Sequence, residues 1–186
     1  MKMKKLFYLP LTVLAFAIAA EANTDSNGDG EWRLDNYSGF PTETMASVNG
    51  NVVHSDRLRV KFSKGRCEEA FLFTTVYTYK NHPRLLELKN QPIQVRIDGV
   101  DISGSQILHV SKHPQARGRR ATIGIGTGAK DDLMSIFEDD DSPLPIEYLD
   151  SKEFKASDYF NVLENSWNTK NARVAIEQAY NACRLL

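Results

Sequence analysis

Hydrophobic and polar residues alternate over several short stretches of this chain, and the clearest stretch covers residues 57–62. Leu58, Val60 and Phe62 are apolar, whereas the residues between them are cationic. Successive side chains of a β-strand point to opposite faces, so this pattern predicts a strand with one buried face and three charges in water. A helix would scatter the same apolar side chains around its circumference.

The stretch 71–79 has the strongest strand composition of the chain, because nearly all of its residues are aromatic or β-branched. Apolar side chains fall on both sides, which predicts a central strand. Residues 81–83 end in a proline and predict the exit from this strand. Four aromatic residues of the stretch share one side: Phe71, Phe73, Tyr77 and Tyr79.

Shorter patterns predict further strands and a few turns of helix. Asp98-Gly99 is a dipeptide typical of tight hairpin turns. Residues 131–137 predict one or two helical turns. The other predicted strands cover residues 85–88, 93–98, 106–110, 121–126, 146–149 and 159–163.

The C-terminal end of the chain predicts a helix that starts at a cap formed by Asn168 or Thr169. Apolar residues then recur at spacings of three and four and form one stripe: Ala172, Ala175, Ile176, Ala179, Cys183 and Leu186. The fold class predicted is α+β, a mostly antiparallel β-sheet or small sandwich with this amphipathic helix packed on it. We expect residues 31–186 to form a single domain, because their number suits one hydrophobic core.

The N-terminal stretch has the layout of a secretory signal peptide over residues 1–22. Three lysines precede the uncharged apolar run of residues 6–20, and small residues follow it. The run is shorter than the about 20 residues that a transmembrane helix needs. We expect cleavage before Asn23, a flexible polar start over residues 23–30, and a bacterial periplasmic or secreted protein with no membrane span after cleavage.

The chain has two cysteines, Cys67 and Cys183, which lie 116 positions apart. In an oxidising compartment an even pair is most simply a disulfide. The apolar stripe turns Cys183 inward, so this bond would fasten the helix to the edge of the aromatic strand. A catalytic or metal-binding thiol is the alternative, but neither cysteine belongs to a C-x-x-C or Cys/His cluster.

Three motifs suggest binding or catalytic chemistry. Residues 25–30 resemble the start of a calcium loop, but the twelfth position is Asn36, which cannot replace the usual glutamate. Gly124, Gly126 and Gly128 imitate a phosphate loop, but they fall in or beside a predicted strand, where glycine marks a bulge or a close approach of another element. The four histidines form no zinc-binding motif. The sequence therefore predicts no metal, no cofactor and no catalytic site.

The charge of the chain argues against a general nucleic-acid binder. The 23 basic and 24 acidic residues become 20 and 23 without residues 1–22, a formal charge of −3. Residues 112–120 predict a basic loop between antiparallel strands, and residues 138–141 are an acidic run. Both segments can equally be solvated loops, or can attract each other within the fold. The candidate partner-binding residues of the basic loop are Lys112, Arg117, Arg119 and Arg120.

The favoured hypothesis is a non-enzymatic protein that binds an envelope or secreted protein, as an inhibitor, an immunity protein or an accessory subunit of a secretion apparatus. It rests on the export signal, the strand-rich pattern and the lack of catalytic motifs. A hydrolase of an envelope polymer is one alternative, which requires two carboxylates, or a histidine and a nucleophile, to converge. A carrier of a small apolar ligand is the other, with a pocket lined by Phe71, Phe73, Tyr77 and Tyr79.

Overall fold

The computed structural model of the protein describes residues 30–35, 41–112, 118–137 and 142–186. The strands in these ranges are β1 (Arg33–Asp35), β2 (Glu43–Asn49), β3 (Arg57–Ser63), β4 (Glu69–Thr78), β5 (Gln94–Ile97), β6 (Val100–Ile102), β7 (Gln106–Lys112), β8 (Arg119–Ala129), β9 (Leu144–Leu149) and β10 (Glu164–Trp167). The α-helices are α1 (Lys130–Met134), α2 (Ala156–Tyr159) and α3 (Ala172–Arg184), and a 3-10 helix covers Leu85–Glu87.

Six strands form an antiparallel sheet in the order β1-β2-β3-β4-β8-β7. The predictions for residues 57–62 and 71–79 are confirmed, and β4 lies inside the sheet between β3 and β8. Leu58, Val60 and Phe62 have no exposed surface and define the inner face of this sheet. The other face is called the outer face below.

The remaining strands form a four-stranded antiparallel sheet in the order β10-β9-β5-β6. The turn predicted at Asp98-Gly99 is confirmed, since it joins β5 to β6 with φ angles of 47° and 76°. Glycine and aspartate tolerate such positive φ angles better than most residues do, which explains this choice of turn. The predicted strands at 93–98, 106–110, 121–126 and 146–149 correspond to β5, β7, β8 and β9.

Helix α3 and the smaller sheet both pack on the inner face of the six-stranded sheet. Thr44 on β2 donates a hydrogen bond of 2.7 Å from Oγ1 to the carbonyl oxygen of Ala179 on α3. Tyr148 on β9 donates from its hydroxyl to Oγ1 of Thr74 on β4, also over 2.7 Å. The buried apolar side chains of the two sheets and of α3 form one hydrophobic cluster. The predicted α+β class, mostly antiparallel with a C-terminal helix packed on the sheet, is thus confirmed.

The apolar stripe of α3 is buried from Ala172 to Cys183, but two details of the helix prediction are wrong. Leu186 follows the end of the helix and is exposed. Asn171 precedes the first helical residue in the left-handed conformation and makes no side-chain cap. Thr169 instead donates to the carbonyl oxygen of Ser142 over 2.9 Å, so its hydroxyl ties two loops together.

Two predicted strands are wrong. Residues 85–88 contain the 3-10 helix Leu85–Glu87, and Leu85 and the residue after the helix, Leu88, bury their side chains at a spacing of three. Residues 159–163 contain no strand, since Tyr159 is the last residue of α2 and the other four residues lead from α2 to β10. In both stretches a few apolar residues suit a strand and a tight turn equally well, and the tertiary packing decides between them.

Cys67 and Cys183 are joined by a disulfide, with Cα atoms 5.8 Å apart, as the sequence predicts. The bond ties the last turn of α3 to the segment between β3 and β4. None of the described helices has the length and apolar character needed to cross a bilayer. The predicted signal peptide at 1–22 and all of the predicted flexible start except Gly30, which is buried, lie outside the described residues.

Candidate functional site

Aromatic and cationic side chains collect on the outer face of the six-stranded sheet. They line a groove of about 250 Å³ that crosses strands β2, β3, β4, β8 and β7, called the outer groove below. An antiparallel sheet that faces water usually carries polar residues there, so two phenylalanines and a leucine on this face are unusual. The lining residues are Glu43, Met45, Arg59, Lys61, Phe71, Phe73, Thr75, Leu108, Arg120 and Thr122.

The centre of the outer groove is a stacked aromatic pair on β4. The rings of Phe71 and Phe73 lie 5.5 Å apart between centroids, with 20° between their planes, and both side chains are partly exposed. Their position follows from the period of two along β4, which turns alternate residues to the same face. The prediction that these two residues share a face is therefore confirmed, and this face is opposite to α3.

Gly124 on β8 makes room for this aromatic pair. The pairing of β4 with β8 shifts in register after Leu72, so that Phe73 lies opposite Gly124. A Cβ atom at Gly124 would lie 3.1 Å from Cζ of Phe71 and 3.2 Å from the methyl groups of Leu108. The interpretation of this stretch as a strand is confirmed, because all three glycines lie in β8, and the expected close approach of another element is found at Gly124.

Two cations flank the aromatic pair, and carboxylates hold both of them. Lys61 Nζ lies 5.6 Å from the centroid of the Phe71 ring and 2.8 Å from Oε1 of Glu43. The guanidinium carbon of Arg59 lies 5.8 Å from the centroid of the Phe73 ring, and Nε lies 3.6 Å from Oδ2 of Asp35. Cations over aromatic faces are attracted by the ring quadrupole.

Arg59 is buried, which corrects the expectation that all charges of residues 57–62 lie in water. Arg59 is 6% exposed, and its Nη1 donates a hydrogen bond of 2.6 Å to Oγ1 of Thr75. The neighbouring ring of Phe73 and the carboxylate of Asp35 account for the burial, because they replace water around the guanidinium group. The period of two gave the right face for Arg59 but could not show what shares that face.

Arg120 differs from the other two cations of the groove. It lies on β8 opposite Tyr77 and is partly buried. Within the described part of the chain, its side chain forms neither an ion pair nor a hydrogen bond. None of the described residues therefore occupies its guanidinium donors.

The pleat of the sheet separates the basic residues that the sequence groups into one loop. Lys112 lies in β7 and Arg119 and Arg120 lie in β8, so the segment 112–120 is only partly a loop. Lys112 pairs with Arg119, whereas Arg120 points to the opposite face, toward the outer groove. Arg117 and the acidic run 138–141 lie outside the described residues.

A second polar cluster is buried between the two sheets. Asp56 is 3% exposed and accepts hydrogen bonds from the backbone N–H of Tyr77, over 2.8 Å, and from Nδ2 of Asn165, over 3.1 Å. Burial raises the pKa of Asp56 to about 6, although these two hydrogen bonds act in the opposite direction. Burial also raises the pKa of Tyr148, whose hydroxyl bonds to Thr74. This cluster ties the loop before β3 to β10.

Other candidate chemistry is dispersed. Among the described residues, no group of three or more histidine, cysteine, aspartate or glutamate side chains could hold a metal ion. His54 Nδ1 lies 3.0 Å from the carbonyl oxygen of Gly50, His82 contacts the ring of Tyr159, and His109 is exposed on β7. The calcium-like stretch lies outside the described residues except for its last residue, Gly30.

Two further cavities, of about 360 and 340 Å³, lie on either side of the β5–β6 hairpin. The larger is lined mainly by aliphatic and proline side chains, and neither contains an aromatic or cationic side chain. The outer groove therefore has the more distinctive chemistry. Comparison of this chain with models of protein families, with curated proteins and with solved structures gave no match.

Proposed function

We propose that this chain is an exported, non-enzymatic binding protein whose outer groove binds another protein of the bacterial envelope or a secreted protein. The observation that carries the proposal is the Phe71–Phe73 pair, which lies on the outer face and not in the core. Interface cores are enriched in aromatic, methionine and arginine side chains. Met45, Arg59 and Arg120 surround the aromatic pair and complete this composition.

The size and form of the outer groove favour a protein partner over a small ligand. Pockets for small ligands usually hold about 300–1,000 Å³ and enclose most of the ligand. The outer groove holds about 250 Å³ and extends over five strands of an open sheet face. A side chain of a partner can fill such a groove while the surrounding sheet provides the rest of the contact.

Export is supported by two separate features. The charged, apolar and small-residue order of residues 1–22 is typical of a signal peptide. The bond between Cys67 and Cys183 is the kind of cross-link that persists in oxidising compartments and is rare in the cytosol. An inhibitor, an immunity protein and an accessory secretion subunit all share this location and this mode of action.

The experiment that tests the proposal replaces Phe73 of the purified protein with a photocrosslinking derivative of phenylalanine, so that the aromatic ring is kept. The matched control carries it at Val174, which is 57% exposed on α3 and lies away from the outer face. Both proteins are irradiated with envelope extract of the source organism. We expect a product of defined mass from position 73 only, and we expect excess unlabelled protein to abolish it. The same products from both positions, or no product from position 73, would contradict the proposal.

A further inference from the structure

We infer that the partner inserts a carboxylate side chain next to an apolar side chain, and that Arg120 binds this carboxylate at the β8 end of the outer groove. The inference rests on the proposed function, because it names the chemistry of the partner at the same site. It concerns Arg120 and the groove floor formed by Phe71, Phe73 and Leu108.

The first argument is the distribution of charge along the groove. Lys61 is neutralised by Glu43, and Arg59 is held by Asp35 and Thr75. Arg120 has no such partner among the described residues, although it is partly buried. A guanidinium group that is partly withdrawn from water gains most from a planar anion that accepts two parallel hydrogen bonds.

The second argument is the polarity of the groove from end to end. Glu43 lies on β2 and Arg120 lies on β8, with β3 and β4 between them. At the β2 end Glu43 and Lys61 neutralise each other, so a carboxylate of a partner gains no net attraction there and is drawn to Arg120 at the β8 end. The groove therefore orients an acidic segment, which gives specificity and speeds encounter.

The third argument is the apolar surface beside Arg120. Thr122 follows two residues later on the same face of β8, and the next residue on that face is Gly124, against which the side chains of Phe71 and Leu108 pack. A carboxylate at Arg120 can accept a further hydrogen bond from the Thr122 hydroxyl. An apolar group next to that carboxylate then contacts Phe71, Phe73 and Leu108.

The test introduces Arg120→Glu into the protein that carries the photocrosslinker at position 73. Lys170→Glu is the matched control, because it makes the same charge change at an exposed residue outside the outer groove, in the loop before α3. We expect Arg120→Glu to lower the yield of the crosslinked product about tenfold, because a like charge then meets the partner's carboxylate. We expect Lys170→Glu to leave the yield unchanged. We expect Arg120→Lys to restore only part of the yield, because the charge remains but the planar group that donates two parallel hydrogen bonds is lost.

The outcomes separate this inference from the proposed function. Equal yields of the crosslinked product with and without Arg120→Glu would overturn the inference, while the proposed function stands. The absence of a crosslinked product from the protein that carries the photocrosslinker and an intact Arg120 would overturn the proposed function itself. Native mass spectrometry tests whether a small molecule occupies the groove instead. A small molecule that copurifies with the protein, but not with Arg120→Glu, would overturn the inference that the occupant is a protein. Circular dichroism confirms that each variant is folded.

Discussion

At the scale of single residues, Asp56 couples the stability of the fold to pH. The folded state raises the pKa of its carboxyl from 3.8 to about 6, mainly by burial. The folded protein therefore binds this proton more tightly than the unfolded chain does. The stability that Asp56 contributes is fully present below pH 3.8 and is lost as the pH rises through about 6.

Asp56→Asn removes this titration and keeps a side chain of similar size. Relative to the variant, the unsubstituted protein should lose up to about 2–3 kcal/mol of unfolding free energy between about pH 4 and pH 7. Urea unfolding of both proteins across this pH range gives the difference between their unfolding free energies. The contributions of the other titrating groups cancel in this difference. A difference in unfolding free energy that does not change with pH would contradict the raised pKa of Asp56.

Two glycines of β8 offer a matched pair of substitutions at the same scale. Gly124→Ala places a Cβ close to Phe71 and Leu108, whereas a Cβ at Gly126 meets nothing within 4 Å. We expect Gly124→Ala to lower the unfolding free energy by about 1 kcal/mol, because the neighbours must move. Gly126→Ala should raise it by about 0.4–1 kcal/mol, because it restricts the unfolded chain. Thermal unfolding of the two variants measures both changes in stability. Equal changes for Gly124→Ala and Gly126→Ala would contradict the close approach at Gly124.

Single-residue environments were only partly predictable from the sequence. The period of two around Val60 fixed the face of each neighbour, but it predicted water around Arg59. Burial of Arg59 depends on Phe73 and Asp35, which lie on other strands. Asp56 likewise owes its burial to partners such as Asn165, which lies 109 residues away in the sequence. Contacts over such separations leave no local signal.

At the scale of elements, the disulfide secures α3 to the six-stranded sheet. It closes a sequence separation of 116 residues between the turn before β4 and the last turn of the helix. Nearby polar contacts act in the same direction, since the Tyr180 hydroxyl donates to Oε1 of Glu68 over 2.8 Å and Lys130 Nζ pairs with Glu177 over 2.9 Å. These contacts are partly exposed, so the covalent bond is expected to dominate.

Loss of the disulfide should therefore destabilise the protein strongly. In the chain-entropy model, a loop of this length contributes about 4–5 kcal/mol, which corresponds to a fall in Tm of roughly 10 °C for a chain of this size. Calorimetry with and without reductant measures the shift in Tm. The Cys67→Ser/Cys183→Ser variant is the control, since its Tm should be low and should not respond to reductant. Equal Tm values for the oxidised and reduced protein would contradict this role.

The elements with long and regular patterns were predictable, whereas several of the short ones were not. The stripe of α3 extends over three turns and indicates both its type and its buried face. β10 and α2 contain only four residues each, and their pairing depends on β9 and on the loop that precedes them. Local propensity over four residues is too weak to distinguish a strand from a turn.

At the scale of the whole molecule, the chain alternates between two sheets, and this order was not predictable. It leaves the larger sheet after β4, forms β5 and β6, returns for β7 and β8, and leaves again for β9 and β10. The outer groove consequently combines residues that lie between positions 43 and 122 of the sequence. The sequence indicated the aromatic face and Arg120 separately, but only the strand order brings them together.

The central claim is that the outer groove is the surface through which this protein binds its partner. The most direct measurement is the recovery of the partner by Phe71→Thr/Phe73→Thr compared with Tyr79→Thr, which removes a 70% exposed ring just after the end of β4 and outside the groove. Threonine keeps the strand propensity in all positions. We expect the double variant to recover less partner by a factor of more than about ten, and Tyr79→Thr to recover as much as the unsubstituted protein. Equal recovery by the two variants would contradict the central claim.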